Sequence, residues 1–262
     1  MEKSKYAGKA VLLTTTFSQY VTDMRAQLAL RTCRVAVGRG LDIIVVDGSP
    51  CADFKVALGA TGAIVIDQVE PGMEGSRRQV LKAGLEMFPQ YLAYCWLEPE
   101  KHPMVPLLDS CLKRIIEPID GDPADVVIPR RKALVNYPQY QQWSEMTANW
   151  QLDDLTGLYG IDWYSGPRIM SRRATEVMAS YDSGGDGKWK IIFLPLVRMM
   201  YYGWTIKSVT VGYVHPIEQL VEDSPEMRAK RDEQREALVD GMARELWICG
   251  RTKMELDRLM GV

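Results

Sequence analysis

Residues Leu41 to Pro50 read LDIIVVDGSP: an apolar run, Ile43 to Val46, closed by Asp47, Gly48, Ser49 and Pro50. A strand with one wet face alternates apolar and polar residues, whereas a strand covered on both faces stays apolar throughout. The run therefore reads as a central strand of a parallel sheet that ends in a turn. On either side of it lie Ala10 to Thr16 (AVLLTTT) and Ala63 to Val69 (AIVIDQV), and further on Tyr91 to Leu97 (YLAYCWL) and Ala124 to Arg131 (ADVVIPRR), four more strand-like stretches. Helical spacing fills the gaps. Thr22 to about Arg39 carries Met24, Leu28, Leu30 and Val35, with Asp23 near its start. Ser76 to Phe88 places Val80, Leu81, Leu85 and Phe88 on one side, and Pro103 to Ile116 supplies a third helix. Strands alternating with helices over short connections predict an α/β fold, a mostly parallel central sheet flanked by helices.

The second half has a different texture. Residues 138–158 are polar and aromatic, and Gly160 to Ala174 (GIDWYSGPRIMSRRA) gathers turn-formers around aromatic residues. Lys190 to Gly203 reads as a helix and Trp204 to Pro216 (WTIKSVTVGYVHP) as a strand. Residues 217–262 are charged and amphipathic, a C-terminal helical extension with Leu238, Met242, Leu246, Ile248, Leu256 and Leu259 available for packing.

With 262 residues, 47% of them hydrophobic and 25% charged, the chain suits one large domain with a sizeable core. A formal net charge of -2 provides no bulk attraction to nucleic acid or to an anionic membrane, so no nucleic-acid partner is expected. No integral membrane segment is expected either, because no apolar run is long enough. The early apolar run turns into Thr14, Thr15 and Thr16 too soon for a secretory h-region. Five scattered cysteines without a CxxC pair argue against a zinc ribbon or a disulfide framework and for a reducing, cytoplasmic setting.

In an open parallel sheet, ligands collect beyond the carboxyl ends of the strands. Those ends read TTTFSQ, VVDGSP, DQVEPG, WLEPEKH and IPRRK, a set of hydroxyls, carboxylates and arginines suited to a nucleotide and its phosphates. No GxGxxG follows the first strand and no GxxxxGK[ST] occurs, which excludes the commonest dinucleotide and P-loop arrangements. Glu98 and Glu100 flank Pro99. Residues two apart in an extended chain face one side, and proline favours extension at Glu98. Two hard oxygen donors there suit Mg²⁺ or Mn²⁺ bridging a diphosphate. The other reading is an exposed turn that Lys101 neutralises.

The order strand, VVDGS, strand, GxxxSRRQxxxxGL, strand, acidic pair resembles the nucleotide-sugar-binding half of the GT-A glycosyltransferases. The resemblance covers roughly Ala10 to Pro216. It implies a catalytic domain over 1–216, with a nucleotide-sugar half at 1–132 and an acceptor-side half at 133–216. Donor contacts then fall to Thr14, Thr15, Thr16, Asp47, Arg77, Arg78 and Arg130, although Asp47 can equally cap a turn with Gly48. Glu98 and Glu100 take the Asp-x-Asp place. His215 resembles the third metal ligand of the retaining mannosylglycerate and glucosylglycerate synthases. Trp163, Tyr164, Gly166 and Arg168 lie in the acceptor-side segment. Arg77 would assist departure of the diphosphate, and Asp186 would be either the base of an inverting reaction or an acceptor-positioning group in a retaining one. The implied activity is transfer of a sugar from a UDP- or GDP-sugar to a small-molecule hydroxyl, aided by Mn²⁺ or Mg²⁺. The C-terminal helices offer a surface for a homodimer. A sugar-phosphate nucleotidyltransferase and a non-catalytic binding protein on a degenerate GT-A fold remain the alternatives.

Overall fold

The computed structural model describes residues 2–118, 121–183, 189–220 and 224–260, with the backbone alone for 252, 253 and 255–260. Its strands are β1 (Ala10–Thr16), β2 (Asp42–Asp47), β3 (Ile64–Asp67), β4 (Ala93–Trp96), β5 (Val126–Arg131), β6 (Arg168–Ser171) and β7 (Ile206–Val211). They form one sheet in the order β3-β2-β1-β4-β6-β5-β7. The first four are mutually parallel, and register sets Thr16 beside Asp47 and Asp47 beside Asp67 at one edge. β6 runs antiparallel to both β4 and β5, with Arg168 opposite Trp96. β7 pairs parallel with β5.

The helices are α1 (Met24–Gly38), α2 (Ala52–Ala60), α3 (Gly72–Met87), α4 (Leu108–Ile116), α5 (Gln139–Thr156), α6 (Arg172–Ser180), α7 (Leu194–Tyr201) and α8 (Pro225–Met260). The continuous apolar strands serve two cores at once, because successive side chains point to opposite faces. Leu12, Ile43, Val45 and Cys95 meet α1, α2 and α4 through Leu30, Phe54, Leu58 and Leu112. Val11, Leu13, Ile44, Val46 and Trp96 meet α3, α6, α7 and α8 through Val80, Met178, Leu196 and Met242. Each such side chain contributes about 1.5–3 kcal/mol relative to exposure. Gly84 lets α3 lie close on the sheet, since a Cβ there would approach Leu13 Cδ2 to 2.8 Å.

The mostly parallel, helix-covered sheet matches the sequence reading, with several additions. α2, α5 and the short reversed strand β6 were not foreseen. Pro103 to Ile116 splits into a 3-10 turn at His102–Leu107 and α4, Pro106 lying inside the turn. Lys190 to Gly203 likewise divides at Pro195, which sits in the first turn of α7. In α8, Leu238 and Met242 are buried and Leu246 packs on the same core, while Ile248 is exposed. Leu256 and Leu259 lie outside the described side chains. All five cysteines are free, and no described helix is long and apolar enough to cross a membrane.

Candidate functional site

Two adjoining cavities open at the carboxyl ends of the parallel strands. One, of about 730 Å³, lies over β1, β2 and the start of α3 and is lined by Thr15, Thr16, Gly48, Gln68, Ser76 and Arg77. The other, of about 580 Å³, lies beyond β4 and is lined by Lys101, Arg131, Tyr137, Glu145, Tyr164, Gly166 and His215, with Arg231, Arg235 and Leu238 of α8 on its far wall. Arg25, Glu98, Glu100 and Trp189 belong to both. The acidic pair is thus the ridge between two chambers rather than a turn in bulk water.

Glu98 is buried. Its Oε1 lies 3.2 Å from Lys101 Nζ, which also donates to the Ser165 carbonyl at 2.6 Å. Burial opposes charge on Lys101, but Glu98, with Tyr137 and Tyr213, overrides it and holds the ammonium above its ordinary range. Opposite the lysine is Gly166, at φ +89; a Cβ there would fall 1.8 Å from Glu98 Oε1. The carboxylate is therefore clamped between a glycine and an ammonium. Its Oε2 is buried with no hydrogen-bond partner. Glu100, one proline further, is half-buried and faces both chambers.

Arg77 is buried on the inner face of α3 and lies between two indoles, 5.1 Å from the Trp96 ring centroid and 4.4 Å from that of Trp189. Burial pushes its pKa down to about 10 against the pull of Glu98, Glu100 and Glu74, so it stays cationic at neutral pH. His215 stacks on Tyr137 at 4.1 Å, with Nδ1 3.2 Å from the Tyr213 hydroxyl. Burial first, then the cations Lys101, Arg131 and Arg231, pushes its pKa down to about 3, which leaves a neutral imidazole.

That shift has a measurable sign. The unfolded chain takes a proton at His215 near its ordinary 6.5, the folded chain only near 3. The contribution to stability is complete above 6.5 and is lost as pH falls toward 3. In metal-free buffer, the fall in Tm between about pH 7.5 and about pH 4.5 should be smaller for His215→Gln than for the parent chain. Parallel profiles would show that His215 titrates normally.

Several residues expected at the site have other occupations. Arg78 pairs with Glu74 at 2.9 Å and Glu70 at 3.2 Å, anchoring α3 to the chain around Asp182 at 3.7 Å, and lines neither chamber. Arg130 is exposed, and it is its neighbour Arg131 that faces the second chamber, gripped by both Asp162 oxygens at 2.7 Å and by Glu145 at 2.9 Å. Trp163 is core, donating to Asp153. Arg168 is fully buried and donates to the carbonyls of Trp163, Gly166, Pro167 and Ile192, so it holds the 163–167 turn rather than an acceptor. Asp47 accepts from Thr16 and Ser49 beneath the first chamber, while Thr14 is buried below it. Asp186 lies outside the described residues. Lys101, Glu145, Trp189 and the α8 arginines are site residues that sequence reasoning did not assign, and it did not separate Arg131 from Arg130.

Among the described residues no three His, Cys, Asp or Glu side chains converge closely enough to hold an ion by themselves. The donor set nonetheless fits a divalent ion that shares its shell with a diphosphate. Glu100 and neutral His215 line one chamber, and small hard cations commonly take one or two protein ligands, completing the shell from phosphate and water.

No protein-family model and no curated protein matches the chain. Solved structures do. The chain is similar to glucosyl-3-phosphoglycerate synthase from Mycobacterium tuberculosis in complex with Mn²⁺, UDP and phosphoglyceric acid, at 16% identity and TM-score 0.62, covering 94% of this chain and 80% of that one. For the same synthase with Mg²⁺ and UDP the values are 17%, 0.61, 94% and 81%. A mycobacterial protein of unstated activity gives 17%, 0.62, 93% and 77%. At such identities the likeness establishes the architecture, and the chain has the GT-A-type α/β fold.

Proposed function

We propose that the chain transfers a sugar from a nucleoside diphosphate to a hydroxyl of a small acidic acceptor. The observation that carries this reading is the pair of chambers meeting at Glu98 and Glu100. The chamber over β1 and β2 takes the nucleotide against Thr15, Thr16, Gly48 and Gln68. The diphosphate then reaches the ridge beside Arg77. The second chamber sets Arg25, Lys101, Arg131, Arg231 and Arg235 against Glu98, Glu100 and Glu145, an excess of cations that supports an anionic acceptor, and the synthase noted above was crystallised with phosphoglyceric acid.

As the sugar's anomeric bond to the diphosphate breaks, negative charge grows on the leaving oxygens. A fixed guanidinium in a buried site stabilises that charge without solvent reorganisation. A divalent ion held by Glu100 and His215 would supply Lewis-acid neutralisation of the same oxygens. Of the described carboxylates in the second chamber, Glu98 is engaged by Lys101, and Glu145 by Arg131 and Gln141. With Glu100 assigned to the ion, these engagements suit a retaining transfer, in which the acceptor's proton passes to the departing diphosphate while the new bond forms on the same face and no carboxylate base is needed. Tyr164 and Gly166 border the acceptor.

The test is a thermal-shift panel of UDP-, GDP- and ADP-sugars with Mn²⁺, followed by product analysis with small hydroxy acids. A donor at 100 times its Kd adds about 2.7 kcal/mol, or roughly 5–10 °C in a chain of this size. No shift with any nucleotide sugar or nucleoside diphosphate would sink the reading.

A further inference from the structure

The acidic ridge contains its own cation. Lys101 and Glu98 are both buried, and their charges meet at 3.2 Å in the wall that the two chambers share. The ammonium cannot easily swing away, since it also donates to the Ser165 carbonyl at 2.6 Å and lies 5.7 Å from the Tyr213 ring centroid. Nor can the carboxylate retreat, because Gly166 closes its other side. Arg77 and Arg168 add positive potential around the same carboxylate. Among the described residues Glu100 forms no such ion pair, and it faces both chambers.

The geometry points to Lys101 as a resident cation that fills the cation position at Glu98 and leaves Glu100, with His215, as the protein donors for a divalent ion. The two acids of the Glu-Pro-Glu motif then have different work. Glu98 organises lysine, arginine and glycine into a fixed wall, and Glu100 ligates. Lys101 is a positioning residue, and its charge sets how strongly the ridge attracts a second cation. This inference rests on the nucleotide-sugar reading above.

The experiment is calorimetric titration of MnCl₂ into the full chain saturated with UDP, with UDP titration as a separate control. For Glu98→Gln the Mn²⁺ Kd should stay within about threefold of the parent, whereas Glu100→Gln should weaken it about 10–100-fold, the usual scale for disturbing a metal site. Lys101→Met should tighten Mn²⁺ about tenfold, because a carboxylate loses its competing unit charge. Adding Glu98→Gln to Lys101→Met should cancel that gain, a readout that a purely structural lysine would not move. If either single variant at this ion pair fails to fold, the Glu98→Gln/Lys101→Met double variant, which strands no charge, still decides against Glu100→Gln. Equal weakening in Glu98→Gln (or that double variant) and in Glu100→Gln, with UDP binding intact, overturns the inference and leaves the functional reading standing. A parent chain that binds neither UDP nor Mn²⁺ removes both.

Discussion

Arg77→Met should lower turnover by about 10²–10³-fold, the usual cost of deleting one preorganised donor aimed at developing charge. The side chain is buried between Trp96 and Trp189, so the guanidinium arrives at the ridge with its conformational freedom already spent. Methionine keeps the apolar stem and some of the packing but none of the charge. The loss should fall on kcat, with the KM of the acceptor nearly unchanged, because the charge to be stabilised appears as the sugar departs. Arg77→Lys should recover only part of the rate, since an ammonium cannot lie flat between two indoles. Stability should drop by only about 1–2 kcal/mol from the lost cation–π contacts, which separates this variant from an unfolded one. A kcat within threefold of the parent would remove Arg77 from the mechanism.

Gly166→Ala should be the most damaging single-methyl change in the site. The position sits at φ +89, where a Cβ is strained whatever the space available, at about 1–3 kcal/mol. The added carbon would also fall 1.8 Å from Glu98 Oε1 and 2.4 Å from its Cδ, so the carboxylate must leave. Its departure strands a buried Lys101, and separating a buried charge pair usually costs several kcal/mol. Together these predict a Tm fall of about 10 °C or more and loss of activity in the fraction that remains folded. Adding Glu98→Ala to Gly166→Ala relieves the clash and should restore part of the Tm without restoring turnover. A Gly166→Ala chain that melts and turns over like its parent would show that the ridge is looser than these contacts require.

The first half of the sheet was legible because β1 and β2 are long apolar runs, and β4 sits within another, all ending in polar turns. β6 was not, since four residues beginning with Arg168 carry no periodicity, and its reversed direction depends on neighbours distant in sequence. α5 hid for a related reason: its buried face is Ser144, Glu145, Ala148 and Leu152, which shows little contrast with its solvent face. At the site, Glu98, Glu100 and His215 do reach one chamber, and the exposed-turn alternative also contributed something true, because Lys101 does neutralise Glu98. Arg77 could have been separated from Arg78. It shares the helical face of Val80, Leu81 and Gly84, whereas Arg78 pairs along the outer side with Glu74. The choice between Arg130 and Arg131 was beyond reach, because what fixes Arg131 inward is Asp162 and Glu145, residues that only the fold brings near. The arginines of α8 looked like the wet side of an amphipathic helix, yet Arg231 and Arg235 share a face with buried Leu238.

The reversed direction of β6 has a mechanical meaning. Because Arg168 pairs with Trp96, the loop that enters β6 must lie at the same edge as the loop that leaves β4. A parallel strand in that place would carry the entering loop to the opposite rim, some 13 Å away over four residues. One inverted segment thus lets two loops separated by some sixty residues grip each other, while each can still change length on its own outer side. Length can then change at 157–160, where Tyr159 is exposed, while Asp162, Trp163 and Gly166 keep their places and the chamber over β1 and β2 is untouched.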